Sequence, residues 1–235
     1  MFWPMLDPLY LIIVGPTILL ALYAQIKVQI AFAKYKQVPA SSGMTGAQAA
    51  HAMLREAGLA DTVGIERHEG FLGDHYDPRR RVLRLSPEVH DGRSLAALGV
   101  ACHEAGHAIQ HAAGYAPLAA RNAIVPVASF GSWLAWPMIV VGIVLHSFNL
   151  ALAGVVLFAL LVVFQVVNLP VEFNASSRAK HMLQSMGMIS GPAEYRGVSS
   201  VLSAAAMTYV AATIAALAQL LWFAFQLGLL GRRDD

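Results

Sequence analysis

Charge is what this 235-residue chain has least of: Asp, Glu, Lys and Arg supply 13% of its residues, about half the share of an ordinary soluble domain. A soluble globule is excluded as the first reading, because such a surface needs more charge than this. Cysteine is nearly missing as well. The single Cys102 can close no internal disulfide, so the fold needs no oxidising compartment. The net charge is only +2, and the basic residues are not concentrated without acids among them, which gives no sign of a nucleic-acid partner. Low-complexity tracts and internal repeats are also lacking. What is abundant is apolar: 57% of the residues, with a mean hydropathy of +0.56. They gather into runs near or beyond the roughly 20 residues that carry a helix across about 30 Å of hydrocarbon. The chain reads as an integral membrane protein.

The first run extends over 9–33, interrupted at Gly15-Pro16 and followed by Lys34 and Lys36. Its start carries no basic residue and its end no small-residue cleavage site, so it reads as a retained anchor and not a cleaved signal peptide. A polar region follows over 35–121. The second and third runs, 124–148 and 150–171, are parted only by a turn at Ser147-Phe148-Asn149 and form an antiparallel hairpin. A second polar stretch, 173–200, precedes the fourth run, 201–230. Lys27, Lys34, Lys36 and Arg121 border the first polar region, and Arg178, Lys180 and Arg196 occupy the second. By the positive-inside tendency both face the cytoplasm, with the amino terminus outside. Arg232 and Arg233 then end the chain outside, against that tendency, although Asp234 and Asp235 follow at once. Two spans separate the polar regions, which therefore share one side whichever way the chain inserts.

Within the first polar region, Thr45 and Gln48 have capping-box spacing, which predicts a helix over 46–57 stopped by Gly58. Short β-leaning pieces at 63–65 and 82–85 flank the turn-prone Asp74-His75-Tyr76-Asp77-Pro78 and predict a small antiparallel ribbon. Ser86-Pro87 restarts helix. A longer helix runs over 94–113, with Gly114 as its stop.

That helix contains His103-Glu104-Ala105-Gly106-His107. Its two histidines share one face about 6 Å apart along the axis, where both can reach one tetrahedral ion. Glu104, about 100° further round, stands where a general base belongs, beside the ion and not on it. With 9 histidines in 235 residues, chance would produce such a pattern only about 0.01 times. The plainer alternative, two histidines packed in an alanine-rich helix, has no use for the acid. A hydrolytic zinc site needs a third protein ligand and an open position. His111 lies about 12 Å along the axis from His103, too far to share an ion, and reads as structural or cleft-lining. Asp74, Asp77 and Glu172 remain, and Glu172 has the most suggestive setting, after Pro170 at the end of the third run and opening a further helical stretch.

These motifs resemble a known family. Gly70-Phe71-Leu72-Gly73-Asp74-His75-Tyr76-Asp77-Pro78, Leu85-Ser86-Pro87, the segment from His103 to His111, and Leu169-Pro170-Val171-Glu172-Phe173-Asn174-Ala175-Ser176 are similar to the YugP-like zinc-dependent membrane metallopeptidases over nearly the whole chain. The resemblance implies Zn2+ held by His103, His107 and Glu172, with Glu104 as catalytic base. It implies a mainly α, polytopic membrane fold of about four transmembrane helices, with a zincin-like (gluzincin) catalytic region carrying the ribbon. The arrangement is also similar to the HtpX-like membrane proteases, which usually set an aspartate four residues after the ligand glutamate. Here that position is Ser176, so Asn174, Asp74 or Asp77 is left to orient a ligand histidine. His75, Tyr76, Tyr195 and Arg178 are the available oxyanion donors, and the strand at 82–85 is a candidate to bind an extended substrate.

The expected organisation is an anchor over 1–34, a membrane-surface catalytic region over 35–123, a transmembrane hairpin over 124–171, a third-ligand helix and loop over 172–200, and a final span over 201–235. The expected partners are the lipid bilayer and a peptide or membrane-protein substrate, in a multi-pass cell-membrane protein with its site on the cytoplasmic face and a role in membrane-protein quality control. A protease of the site-2 type, which cuts within the bilayer, needs an aspartate ligand in a membrane helix, and no aspartate lies in the four runs. The alternative from another class is a non-catalytic zinc-binding or partner-binding membrane protein, which would not need Glu104.

Overall fold

The structure, a computed structural model, describes residues 7–69 and 73–230. Gly70, Phe71 and Leu72 of the quoted motif and the terminal Arg232 to Asp235 lie outside the described residues. The chain runs through α1 (Pro8–Ile13), α2 (Gly15–Tyr35), α3 (Gly46–Glu56), β1 (Gly64–Arg67), β2 (His75–Asp77) and β3 (Val82–Leu85). It continues through α4 (Pro87–His90), α5 (Leu95–Ala112), α6 (Ala116–Val144), α7 (Phe148–Ser185) and α8 (Gly191–Gln226). Four helical stretches are long and apolar enough to cross a membrane: Pro8–Tyr35, Ala116–Val144, Phe148–Ser185 and Gly191–Gln226. The architecture is mainly helical, with one three-stranded sheet.

Two units divide the chain. The first comprises Met1–Ala24, Ala120–Leu169 and Thr208–Asp235. Its helices expose what a soluble domain buries, Trp133 to 74% and Ile12 to 68%, as lipid-facing surfaces do. The α6–α7 hairpin closes through residues 145–147, where His146 takes a φ of 53°. Its helices touch closely enough that a Cβ on Gly154 would come 2.7 Å from Ile139 Cγ1, the small-residue packing that holds helices together in lipid. Trp222 is fully buried there against Tyr10, Phe158 and Phe223, and the Tyr10 hydroxyl donates to Gln219 Oε1 at 3.2 Å.

The second unit comprises Gln25–Ala119 and Pro170–Met207. Met53 and Leu54 of α3, Leu83 and Leu85 of β3, Leu98 of α5 and Leu183 of α7 form its core. α3 begins with the expected box: Thr45 accepts from the Gln48 N–H, and the Gln48 side chain accepts from the Thr45 N–H. The ribbon differs from expectation. β1 pairs with β3 in parallel, Gly64 opposite Val82, and β2 pairs with β3 antiparallel, Tyr76 opposite Leu83. The turn signal sits later than its composition implied, because the Asp77 carboxylate accepts from the Arg79 and Arg80 N–H groups and opens the turn itself. His75–Asp77 thereby becomes a strand, and β1 is left to take the other edge of β3. A strand paired on both sides cannot add a third partner, so the candidate substrate strand at 82–85 is corrected: β1 and β2 carry the edges.

α6 begins at Ala116 and α8 at Gly191, eight and ten residues before their apolar runs. Hydropathy marks the part of a helix suited to lipid, whereas the backbone hydrogen bonds continue through the polar turns that precede it. α7 continues through Pro170, as the run after Glu172 implied.

Candidate metal centre

The centre is assembled by α5 and α7 within the second unit. The Ser94 side chain caps α5, accepting from the Ala97 N–H at 3.2 Å, and the alanine-rich helix packs in the core and carries its histidines inward. The His103 and His107 rings stand edge to face, centroids 4.8 Å apart. Glu172, 3% exposed, comes from α7 to put its Oε2 3.2 Å from His103 Nε2 and 3.7 Å from His107 Nε2. The donor atoms of His103, His107 and Glu172 lie within 4.8 Å of one another, close enough to bind one metal ion.

Hydrogen bonds define which ring nitrogens are free. Gln110, fully buried, donates from Nε2 to the Val171 carbonyl at 2.8 Å and to Asn174 Oδ1 at 3.0 Å. A carbonyl can only accept, so the Gln110 amide is oriented, and its Oε1 faces His107 Nδ1 at 3.0 Å. His107 therefore donates from Nδ1 and, as the neutral ring, presents a lone pair at Nε2. That Nε2 faces a Glu172 carboxylate oxygen, and the geometry fits a cation, proton or metal ion, held between the two. On His103 the corresponding place at Nδ1 is taken by Ser176 Oγ at 3.1 Å.

Glu104 is 8% exposed and accepts from the Tyr76 N–H on Oε2 at 3.0 Å. Burial lifts its carboxyl above the usual range, opposed by the neighbouring histidines. For His107, burial acts downward, but the Glu172 hydrogen bond and the two carboxylate charges prevail and raise it. Both directions describe a buried cluster that lacks positive charge of its own.

The remaining sequence candidates separate clearly. Asp74 accepts from the Ser86 N–H at 2.6 Å and from its hydroxyl, and Asp77 holds its turn; neither joins the donor cluster. Asn174 reaches His107 only through Gln110, and also accepts from Arg178 Nε at 2.7 Å. His111 pairs through Nδ1 with the Tyr76 hydroxyl at 2.9 Å. His75 bonds the Gly73 carbonyl at 3.0 Å, and Tyr195 packs against the core. Sequence reasoning passed over Gln110, although its spacing three residues after His107 placed it on the same helix face.

A family model described as "Putative neutral zinc metallopeptidase" matches residues 10–227. The "Putative membrane protease YugP" of Bacillus subtilis (strain 168) is 50% identical over 204 residues, covering 87% of this chain and 90% of that protein. No solved structure matches the chain.

Proposed function

Because the chain belongs to the neutral zinc metallopeptidase family, we propose that it is a membrane-embedded zinc metalloprotease that hydrolyses peptide bonds, with His103, His107 and Glu172 as zinc ligands and Glu104 as general base. The observation that carries this reading is Glu172 Oε2, brought from 69 residues away to lie 3.2 Å from His103 and 3.7 Å from His107. Zinc held by these residues would supply a Lewis acid able to bring the pKa of water towards about 7 and to polarise a carbonyl oxygen.

The chain's own groups do the rest. Ser176 and Gln110 hold the two imidazoles through Nδ1, so that Nε2 of each would be available to the ion. The Tyr76 N–H holds one oxygen of Glu104, leaving the other to take the proton from the attacking water and to return it to the leaving amine. A site serving structure alone has no use for a buried carboxyl beside two ligand histidines, and burying one is costly.

The proposal extends to location and role. The segments 35–123 and 172–200 form the catalytic part, on the cytoplasmic side of the cell membrane, and 1–34, 124–171 and 201–235 form the membrane part. Lys27, Lys34, Lys36 and Arg121 beside the apolar runs support that orientation. Quality control of membrane proteins, with peptides or membrane proteins as substrates, is the accompanying role.

The test uses the full chain in detergent, with zinc content and cleavage of casein and membrane-protein peptides measured together. Glu104→Gln is expected to keep zinc and lose about 10²- to 10⁴-fold in rate. Glu172→Ala is expected to lose zinc. Equal cleavage by the parent and Glu104→Gln overturns the assignment.

A further inference from the structure

The face of α5 that carries Glu104 continues past it. Ala108, His111 and Ala112 follow at four, seven and eight residues, on the same side of the helix. Against that stripe opens a cavity of about 340 Å³, with Leu59 and Val63 giving it an apolar wall and Tyr76 and Arg81 giving it a polar one. Tyr76 joins the cavity to the base. Its N–H donates to Glu104 Oε2 at 3.0 Å, while its hydroxyl pairs with His111 Nδ1 at 2.9 Å. Ala108, His111 and Ala112 lie about 6 to 12 Å along the axis from Glu104, a span that one or two extended residues of about 3.3 Å together with a long side chain cover. A group held in the cavity therefore belongs to a residue one or two positions from a bond held at Glu104.

The lining decides what that group is. Arg81 is its one formally charged side chain at neutral pH, and no carboxylate lines the cavity among the described residues. Arg81 makes no ion pair with any described residue, whereas Arg67 and Arg84 nearby do. It ends the turn that Asp77 opens, with a φ of 54° in the left-handed region that glycine and asparagine favour. A guanidinium without an ion pair, in a cleft that combines an apolar wall with the hydroxyls of Thr62 and Tyr76 and the His111 ring, complements a carboxylate on a short apolar stem. We propose that this cavity is the substrate subsite beside the scissile bond and that it takes a carboxylate, anchored by Arg81. The proposal rests on the peptidase reading and names a substrate class for it: peptides with an acidic side chain, or a free carboxyl terminus, within two residues of the cut.

The experiment gives the zinc-loaded full chain fluorogenic peptides in which Glu or Gln occupies each of the two positions on either side of the cut, with the carboxyl terminus amidated or free. At one position Glu is expected to exceed Gln by about tenfold or more in kcat/KM, mainly through KM. Arg81→Gly, which removes the charge and relaxes the backbone at once, is expected to bring that ratio near one at parental zinc content. Preference for Glu in amidated peptides assigns the subsite to side chains; preference only for the free terminus assigns it to chain ends; both support a carboxylate site. A Glu to Gln ratio within twofold for the parent, together with indifference to the free terminus, overturns it, as does a ratio that survives Arg81→Gly. Anisotropy of labelled Glu and Gln peptides separates this from the reading beneath it. Binding preference lost in Arg81→Gly without any hydrolysis upholds the subsite and sinks the peptidase, whereas hydrolysis with no acidic preference does the reverse.

Discussion

The carbonyl oxygen of Ala175 stands where a side chain on Gly106 would begin: a Cβ there would lie 2.9 Å from that oxygen and 3.2 Å from the Ala175 Cα. α5 and α7 thus meet almost backbone to backbone, at the residue just before His107 on one helix and the residue just before Ser176 on the other. Gly106→Ala gains helix propensity of just under about 1 kcal/mol, but it must push the helices apart, an overpacking that costs about 1–3 kcal/mol. The expected outcome is a lower melting temperature together with weaker zinc retention, because the gap between Glu172 and the histidines widens. Unchanged zinc stoichiometry under dialysis against a mild chelator would show that this contact does not set the site.

Gln110→Leu keeps the packing volume close but leaves His107 Nδ1 without its acceptor and Asn174 Oδ1 with Arg178 as its remaining donor. Zinc affinity is expected to fall about 10- to 100-fold, read by competition with a chelating dye. Ser176→Ala removes the equivalent support from His103 and is expected to weaken zinc in the same range. Parental affinity in both variants would mean that the ring orientations are held by packing alone.

Cys102 is fully buried, and burial pushes its thiol up to about 12. Thiolate is the reactive form, so the folded chain is expected to resist maleimide at neutral pH and to react on unfolding. Labelling rate against denaturant then reports the opening of α5. Rapid labelling of the native protein would contradict the position of that helix in the core.

Burial raises the Asp74 carboxyl above 3.8, against the opposing Ser86 hydrogen bonds. The native state therefore holds that proton more tightly than the unfolded chain does. The resulting stability is present at acid pH below the unfolded value and is lost as pH climbs through the folded value. Asp74→Asn removes this dependence, so the melting temperature of the variant relative to the parent is expected to rise from about pH 4 upward and level off towards neutrality. A relative melting temperature that falls over that window would reverse the sign and overturn the argument.

The parts legible in the sequence are those whose signal is local. Thr45 and Gln48 cap their own helix, His103 and His107 share a face by spacing alone, and the turn between the two middle apolar runs makes their hairpin. Pairing was less legible where the partners are far apart. Nothing in Gly64–Arg67 states that it will lie parallel to β3, because β1 takes the edge that the His75–Asp77 hairpin leaves vacant. Glu172 was singled out by its setting and the resemblance. The support of the histidines was expected from Asn174, Asp74 or Asp77, while the hydroxyl of Ser176 and the amide of Gln110 do the holding, with Asn174 behind Gln110. Arg81 carried no signal at all, since its relation to Tyr76 and His111 appears only once the hairpin and α5 are side by side.

The groups that touch the ligand histidines from behind are all neutral: a hydroxyl at Ser176, an amide at Gln110, and behind it the amide of Asn174, which also meets Arg178. Formal charge inside the cluster therefore comes from Glu104 and Glu172, one negative charge each when both are ionised, and a divalent ion would bring that sum to zero. An uncompensated ion in such a buried place costs several kcal/mol. With uncharged outer partners the centre would balance a divalent ion: a monovalent ion would leave it negative, a trivalent ion would leave it positive, and an aspartate in place of Ser176 would have moved the balance point.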